Sequence, residues 1–395
     1  MKTYNFDEII DREQTDCVKY DLRPIFFGTN DLIPMWVADM DFKTPDFIVN
    51  AIKKRAEHEI FGYSIRTKRY YDAFINWVEK LHHWSIKKEW ILYTSGVVPA
   101  VSLAIEALTK PGEKIIIQPP VYFPFANSIT NLGRQLVINP LKEVNNNYVM
   151  NFEHLRKIID SRTKMLILSN PHNPGGRVWT PDELKELCNI CEENNIILFS
   201  DEIHSDIVFS NHKHTPVATV SETISRLLVT AMAPTKTFNM AGIASSSIIV
   251  EDNLLRNNLS ALLETMHLSG GNVFSHEAAI AAYTYGENWL KQMNKYVEQN
   301  IDFVSDFLLK NIPEIVMMKP EGTYMIWLNC KGLRLNETEL KDFFINKAKV
   351  GLNQGITFGE GGAGFFRMNV ACPQQIVHEA LRRIKNAVLE LYNSK

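Results

Sequence analysis

The strongest constraint on this chain is an alternation. "WILYTS" (90 to 95) has the β-branched and aromatic texture of a strand, and it runs into "GVVPAVSLAIEALTK", a helix pattern that Pro111-Gly112 stops. "KIIIQ" (114 to 118) is again a short apolar strand, so the three segments make a βαβ unit. Further strands are predicted at "QLVIN" (135 to 139), "KMLILSN" (164 to 170), "IILFSD" (196 to 201), "LLVTAM" (227 to 232) and "SSIIV" (246 to 250), with helices between most of them. One of those helices opens at Thr180-Pro181-Asp182-Glu183, a capping pattern. Such alternation implies an α/β protein, a mainly parallel sheet with helices on both faces.

From about residue 285 the texture changes to a long helix through "NWLKQMNKYVEQNIDFVSDFLLKNI", then "EGTYMIWLNC", another helix, and a glycine-rich stretch before the final helix. This predicts a second, smaller α+β domain. The expected organisation is an N-terminal segment (1–48) joining the small domain, a large domain (49–285) and a small C-terminal domain (286–395). A chain of 395 residues with 45% hydrophobic content can fill both cores.

The net charge of -3 and the lack of any dense Lys/Arg run give no electrostatic reason to expect nucleic acid or an anionic membrane as partner. Small neutral or zwitterionic substrates fit better. The opening "MKTYNFDEIIDREQTD" carries acids where a secretory leader needs an apolar core, and no run approaches the ~18 apolar residues of a membrane span, so a cytoplasmic location is expected. The 5 cysteines are odd in number and scattered, which predicts free thiols. Cys188 and Cys191 form a C-x-x-C inside a helix pattern, with no second pair or nearby histidine, so no metal site is expected.

In open α/β sheets ligands bind beyond the carboxyl ends of the strands. The residues predicted there are Ser95-Gly96-Val97-Val98 at a helix start, Tyr122 in "PPVYFPF", Asn170 and Asn173 in "NPHNPGG", Asp201 and His204 in "DEIH", and Lys236 in "AMAPTKTFNMAG". Singly, each has a bland reading: a turn glycine, a packed tyrosine, a solvated or salt-bridged lysine. Together they supply an anion cradle, a stacking ring, a hydrogen bond for a phenolic oxygen, an acid for a pyridine nitrogen and a lysine for a Schiff base. Pyridoxal phosphate uses that whole set.

The stretches "PMWVADMDF" (34 to 42), "YSIRT" (63 to 67), "TSGVVPA" (94 to 100), "QPPVYFPF" (118 to 125), "SNPHNPGGRVW" (169 to 179), "SDEIHSDIVF" (200 to 209), "APTKTFNMAGIASS" (233 to 246) and "FRMNVACP" (366 to 373) resemble the MalY/PatB group of pyridoxal-phosphate C–S β-lyases. The resemblance covers nearly the whole chain. It implies the aspartate-aminotransferase-like fold type I, a homodimer with shared active sites, and cleavage of cystathionine or related cysteine S-conjugates. It also implies roles. Lys236 would carry the cofactor and act as base, Asp201 would keep the pyridine nitrogen protonated, and Tyr122 would stack on the ring. Asn173 and His204 would sit near the phenolic oxygen, while Gly96, Val97, Val98 and Thr235 would bind the phosphate, joined by Tyr63 from across the dimer. Arg367 would clamp the substrate carboxylate, helped by Asn173 and the backbone at Val37 and Ala38; its alternative is a structural ion pair. Many aminotransferases have an arginine where this chain has Ala244, and a tyrosine where it has His204. An aminotransferase on the same fold, and a cofactor-binding regulatory protein, are the other readings.

Overall fold

The computed structural model describes residues 2–393. After an N-terminal segment, α1 (Asp46–Ala56) and α2 (Lys68–His82) lead into β1 (Ile91–Thr94), and α3 (Val97–Leu108) connects it to β2 (Lys114–Ile117). A short helix precedes β3 (Gln135–Ile138), and a small hairpin and another short helix precede β4 (Thr163–Ser169). Next come α4 (Pro181–Glu193), β5 (Ile197–Asp201), β6 (Leu228–Met232), the single-turn α5 (Pro234–Thr237) and β7 (Ser246–Ile249). The remainder comprises α6 (Asn253–Thr265), α7 (Val273–Tyr285), the long α8 (Glu287–Asn311), strands β8 (Val316–Met318), β9 (Met325–Asn329), β10 (Asn353–Gln354) and β11 (Phe365–Asn369), and α9 (Gln374–Asn393).

Seven strands form one sheet in the order β1-β7-β6-β5-β4-β2-β3. The pairs from β6 to β3 are parallel, as the alternation predicts. β7 departs from that pattern and runs antiparallel to both its neighbours. The reason is local: α5 and a 3₁₀ turn occupy the β6–β7 connection, in place of a crossover helix packed on the sheet.

Both faces of the sheet are covered, so its strands are apolar on both sides. On β2, Ile116 packs with Leu184, Leu187 and Ile190 of α4, while Ile115 and Ile117 pack with Ala104 and Ile105 of α3 and Leu259 of α6. Burial of each such aliphatic side chain contributes roughly 1.5–3 kcal/mol. The C-x-x-C pair belongs to this packing. Cys188 and Cys191 are fully buried on α4, where burial pushes both thiols up. The α4 start is a true capping box: Thr180 Oγ1 accepts from the Glu183 N–H, and the Glu183 carboxylate accepts from the Thr180 N–H.

The C-terminal strands make a separate antiparallel sheet in the order β8-β9-β11-β10. The N-terminal segment joins this part of the chain through Ile33–Pro34, which pairs in parallel with Val350–Gly351 as a separate two-stranded sheet. Among the described residues, no helix is long and apolar enough to cross a membrane.

Candidate active site

The carboxyl ends of β1, β4, β5 and β6 meet the N-terminal segment around a recess of about 180 Å³. Gly96, Val97, Val98, Tyr122, Asn173, Asp201, His204, Thr235, Lys236 and Ala38 all line it.

Lys236 sits on the single turn α5, and its ammonium donates to the Ala38 carbonyl at 2.6 Å. Tyr324 donates its hydroxyl to the same carbonyl at 3.0 Å. Burial, with the Arg367 charge adding to it, lowers the lysine to about 8. Its amine is therefore close to titrating under ordinary conditions.

Asp201 ends β5, and its Oδ1 accepts from the Ile203 N–H at 3.1 Å. Burial raises the carboxyl to about 7, opposed by that hydrogen bond and by Lys236. His204 lies one turn further on, lowered to about 3 by burial and by the Lys236 and Arg367 charges, so the ring is neutral. Its Nδ1 is buried without a hydrogen-bond partner.

Arg367 reaches the site from β11. It donates to Asn173 Oδ1 at 3.0 Å, to the Trp36 carbonyl at 3.1 Å and to Asn353 Oδ1 at 2.8 Å. Its guanidinium carbon lies 4.9 Å from the centre of the Phe358 ring. All these partners are uncharged, and among the described residues no carboxylate forms an ion pair with it. Burial lowers it to about 10, which leaves it cationic at neutral pH, and its Nε is buried without a partner. A buried cation with only neutral partners is costly unless an anion joins it.

The start of α3 adds a second anion-attracting feature. Gly96 is its N-cap and offers no capping side chain, so the first N–H groups of the helix stay open toward the recess. A Cβ at Gly96 would meet the Pro99 ring at 3.3 Å. Tyr122 is half-buried at the recess wall, against Phe123 and Phe125.

Three expected residues stand apart from the lining: Arg367, which reaches it through Asn173, and Val37 and Tyr63. Val37 lies next to Ala38, and its carbonyl accepts from Asn369 Nδ2 at 2.7 Å. Tyr63 is fully exposed in an irregular stretch before α2, away from the recess of its own chain. Sequence reasoning missed Tyr324, Asn353 and Asn369. The last of these also donates to the Asp39 carbonyl at 2.6 Å, and so straps the loop that presents Ala38. Only the "FRMN" spacing, which places Arg367 and Asn369 on one face of β11, could have flagged it.

Fold and site together define a member of a known class. The chain belongs to the class I and II aminotransferase family, whose sequence model matches residues 30–384. Its relatives are more particular. It is 42% identical to cystathionine β-lyase PatB of Bacillus subtilis (strain 168), over 97% of this chain and 100% of that protein. It is 31% identical to protein MalY of Escherichia coli (strain K12), over 98% and 99%. The crystal structure of cystalysin from Treponema denticola, which contains a pyridoxal 5'-phosphate cofactor, superposes with a TM-score of 0.96 at 34% identity, covering 99% of this chain and 100% of that one. The MalY/PatB resemblance and the aminotransferase-like fold are thus borne out.

Proposed function

We propose that this chain is a pyridoxal-phosphate-dependent C–S β-lyase. It cleaves L-cystathionine, or a related cysteine S-conjugate, with water to a thiol, pyruvate and ammonia; for cystathionine the thiol is homocysteine. The observation that carries this reading is the buried Arg367, without an acidic partner, beside the recess that holds Lys236 and Asp201. An α-amino acid carboxylate is the anion it fits, through two parallel hydrogen bonds.

The residues present suit the cofactor. The unpartnered Nδ1 of His204 and the open N–H groups of α3 await polar groups, and Lys236 and Asp201 face the same space. Lys236 would hold it covalently, Tyr122 would cover its ring, Asn173 and His204 would meet its phenolic oxygen, and Gly96, Val97, Val98 and Thr235 would hold its phosphate. When bound, pyridoxal phosphate supplies the sink for the electron pair left at Cα.

The chain's own groups do the rest. Arg367 fixes the substrate carboxylate, with Asn173 and the backbone at Val37 and Ala38 beside it. Lys236 Nζ, lowered to about 8 when unbound and set free once the substrate amine takes its place on the cofactor, would take the proton from Cα. Asp201 would keep a proton at the cofactor's ring nitrogen. The Cβ–S bond then breaks, the sulfur leaves with the electron pair, and hydrolysis of the three-carbon remainder gives pyruvate and ammonia. A recess of about 430 Å³ shares Trp36 and Asn353 with the partners of Arg367 and leaves room for the S-linked group.

The same reading makes the protein a homodimer. Ile60, Phe61, Tyr63 and Ile65 are exposed together, and Tyr63 would reach the phosphate of the neighbouring subunit. Five free cysteines suit a reducing compartment, the cytoplasm. The PatB likeness over the full length, and Ala244 in place of the aminotransferase arginine, favour the lyase over transamination. The test is to incubate purified protein with cystathionine, without any 2-oxo acid, and to assay pyruvate and free thiol together. Equal yields of both are expected; product only when a 2-oxo acid is added would make it an aminotransferase.

A further inference from the structure

Below the recess lies a buried group that the chemistry above leaves unused. The Asp206 carboxylate is 6% exposed, and three side chains converge on it. Thr237 Oγ1 donates to Oδ2 at 2.7 Å, His82 Nε2 lies 2.8 Å from Oδ1, and the Trp77 indole N–H is 3.2 Å from both oxygens. The Asp206 carbonyl accepts from Asn294 of α8 at 2.9 Å. The residue thus joins α2, α5 and α8 to the turn that begins at Asp201 and carries His204.

We propose that Asp206 is a positioning residue for Lys236, acting through Thr237. The inference rests on the reading of Lys236 as the amine that carries the cofactor.

The helix that presents Lys236 is only 4 residues long, with no side-chain cap. A single turn has no stability of its own, so its orientation must be set from outside. Phe238, buried against Trp77 and Trp289, fixes where the turn ends. A packed ring resists rotation about the helix axis only weakly. Within residues 234–238, the side-chain hydrogen bonds among the described residues are those of Lys236 itself and of Thr237 to Asp206.

Adjacent residues of a helix point about 100° apart, so holding Thr237 fixes the direction of Lys236. A rotation of about 10° moves an amine roughly 8 Å from the axis by more than 1 Å. A displacement of that size costs up to about a hundredfold in a proton transfer that depends on position. The Asp206 carboxylate is suited to the task, because two side chains of α2 hold it, His82 at Oδ1 and Trp77 at both oxygens.

The test compares wild type with Thr237→Val, which removes the hydroxyl and keeps the shape, and with Thr237→Ser, which keeps the hydroxyl. Three quantities are read: the rate at which apoenzyme gains visible absorption on adding pyridoxal phosphate, kcat and KM with cystathionine, and Tm. Thr237→Val should slow loading and lower kcat about tenfold, with KM within about twofold, and Thr237→Ser should restore both. Asp206→Asn should act in the same direction and add little to Thr237→Val; if it fails to fold, Thr237→Val decides alone. Wild-type loading and kcat in Thr237→Val, with only Tm lowered, would reduce the contact to a fold support and overturn the proposal. Lys236→Ala separates the two readings. A Lys236→Ala protein that gains the same absorption at the wild-type rate overturns the role of the lysine itself, whatever Thr237→Val does.

Discussion

Arg367 Nη1 meets Asn173 Oδ1 at 3.0 Å, although the two residues lie 194 positions apart. Arg367 comes from the small antiparallel sheet, and Asn173 follows β4 of the large one. The proposed substrate clamp is therefore built between a strand of the small sheet and the turn that follows a strand of the large one.

Lysine at position 367 keeps the charge but cannot make two parallel bonds to a carboxylate. Arg367→Lys should lower kcat/KM by about a hundredfold, mostly through KM, with the bound cofactor's visible absorption unchanged. Steady-state kinetics checks this. An unaltered KM would take the carboxylate away from Arg367.

Asn at position 201 keeps the shape of the acid and removes its charge. Asp201→Asn should retain cofactor while kcat falls by about a hundredfold or more, because the ring nitrogen loses the group that keeps it protonated. Cofactor content and kcat, measured on one preparation, decide it; a kcat near wild type would point to another acid.

His172 gives a pH prediction. Its Nδ1 accepts from the Gly175 N–H at 3.2 Å while its Nε2 lies 2.9 Å from the Pro120 carbonyl, so the folded protein holds the neutral ring. Burial lowers it from the ordinary 6.5 to about 3. The unfolded chain thus binds the extra proton first, and the stability from His172 is full above pH 6.5 and lost as pH falls toward 3. His204 is lowered in the same direction, while the raised Asp201 works against both as pH falls through 7. His172→Gln should be less stable at neutral pH and lose less Tm between pH 6.5 and 4.5 than wild type. Parallel Tm curves would show that this ring does not set the acid limb.

Tyr63 tests the dimer. Tyr63→Ala and Lys236→Ala homodimers should each be inactive or nearly so. Mixing them, with subunit exchange, puts both lesions in one of the two sites and leaves the other whole, so activity should return toward about half of the wild-type value per heterodimer. Exchange without recovery would remove Tyr63 from the neighbour's site.

Much of this was legible in the sequence because it is local. The strands of the large sheet follow from apolar runs, and Asp201 follows from closing a strand, as Lys236 and Asn173 do from lying just beyond strand ends. The antiparallel β7 was not legible, since "SSIIV" reads the same in either direction. Nor were Asn353, Asn369 and Tyr324, whose roles depend on a loop more than 280 positions away in the chain for Tyr324 and 330 for Asn369. No pattern within a window of residues encodes such a pairing.

The bond from Arg367 Nη2 to the Trp36 carbonyl spans 331 positions. A chain emerging from a ribosome, N-terminus first, completes the strand ends that carry Asp201 and Lys236 well before β11 exists. Trp36 and Ala38 are made early but wait for Arg367 and Asn369 to fix them. Order of synthesis thus separates two capacities: the nascent protein acquires the groups proposed to hold the cofactor first, and those proposed to select an amino acid only near the end of translation.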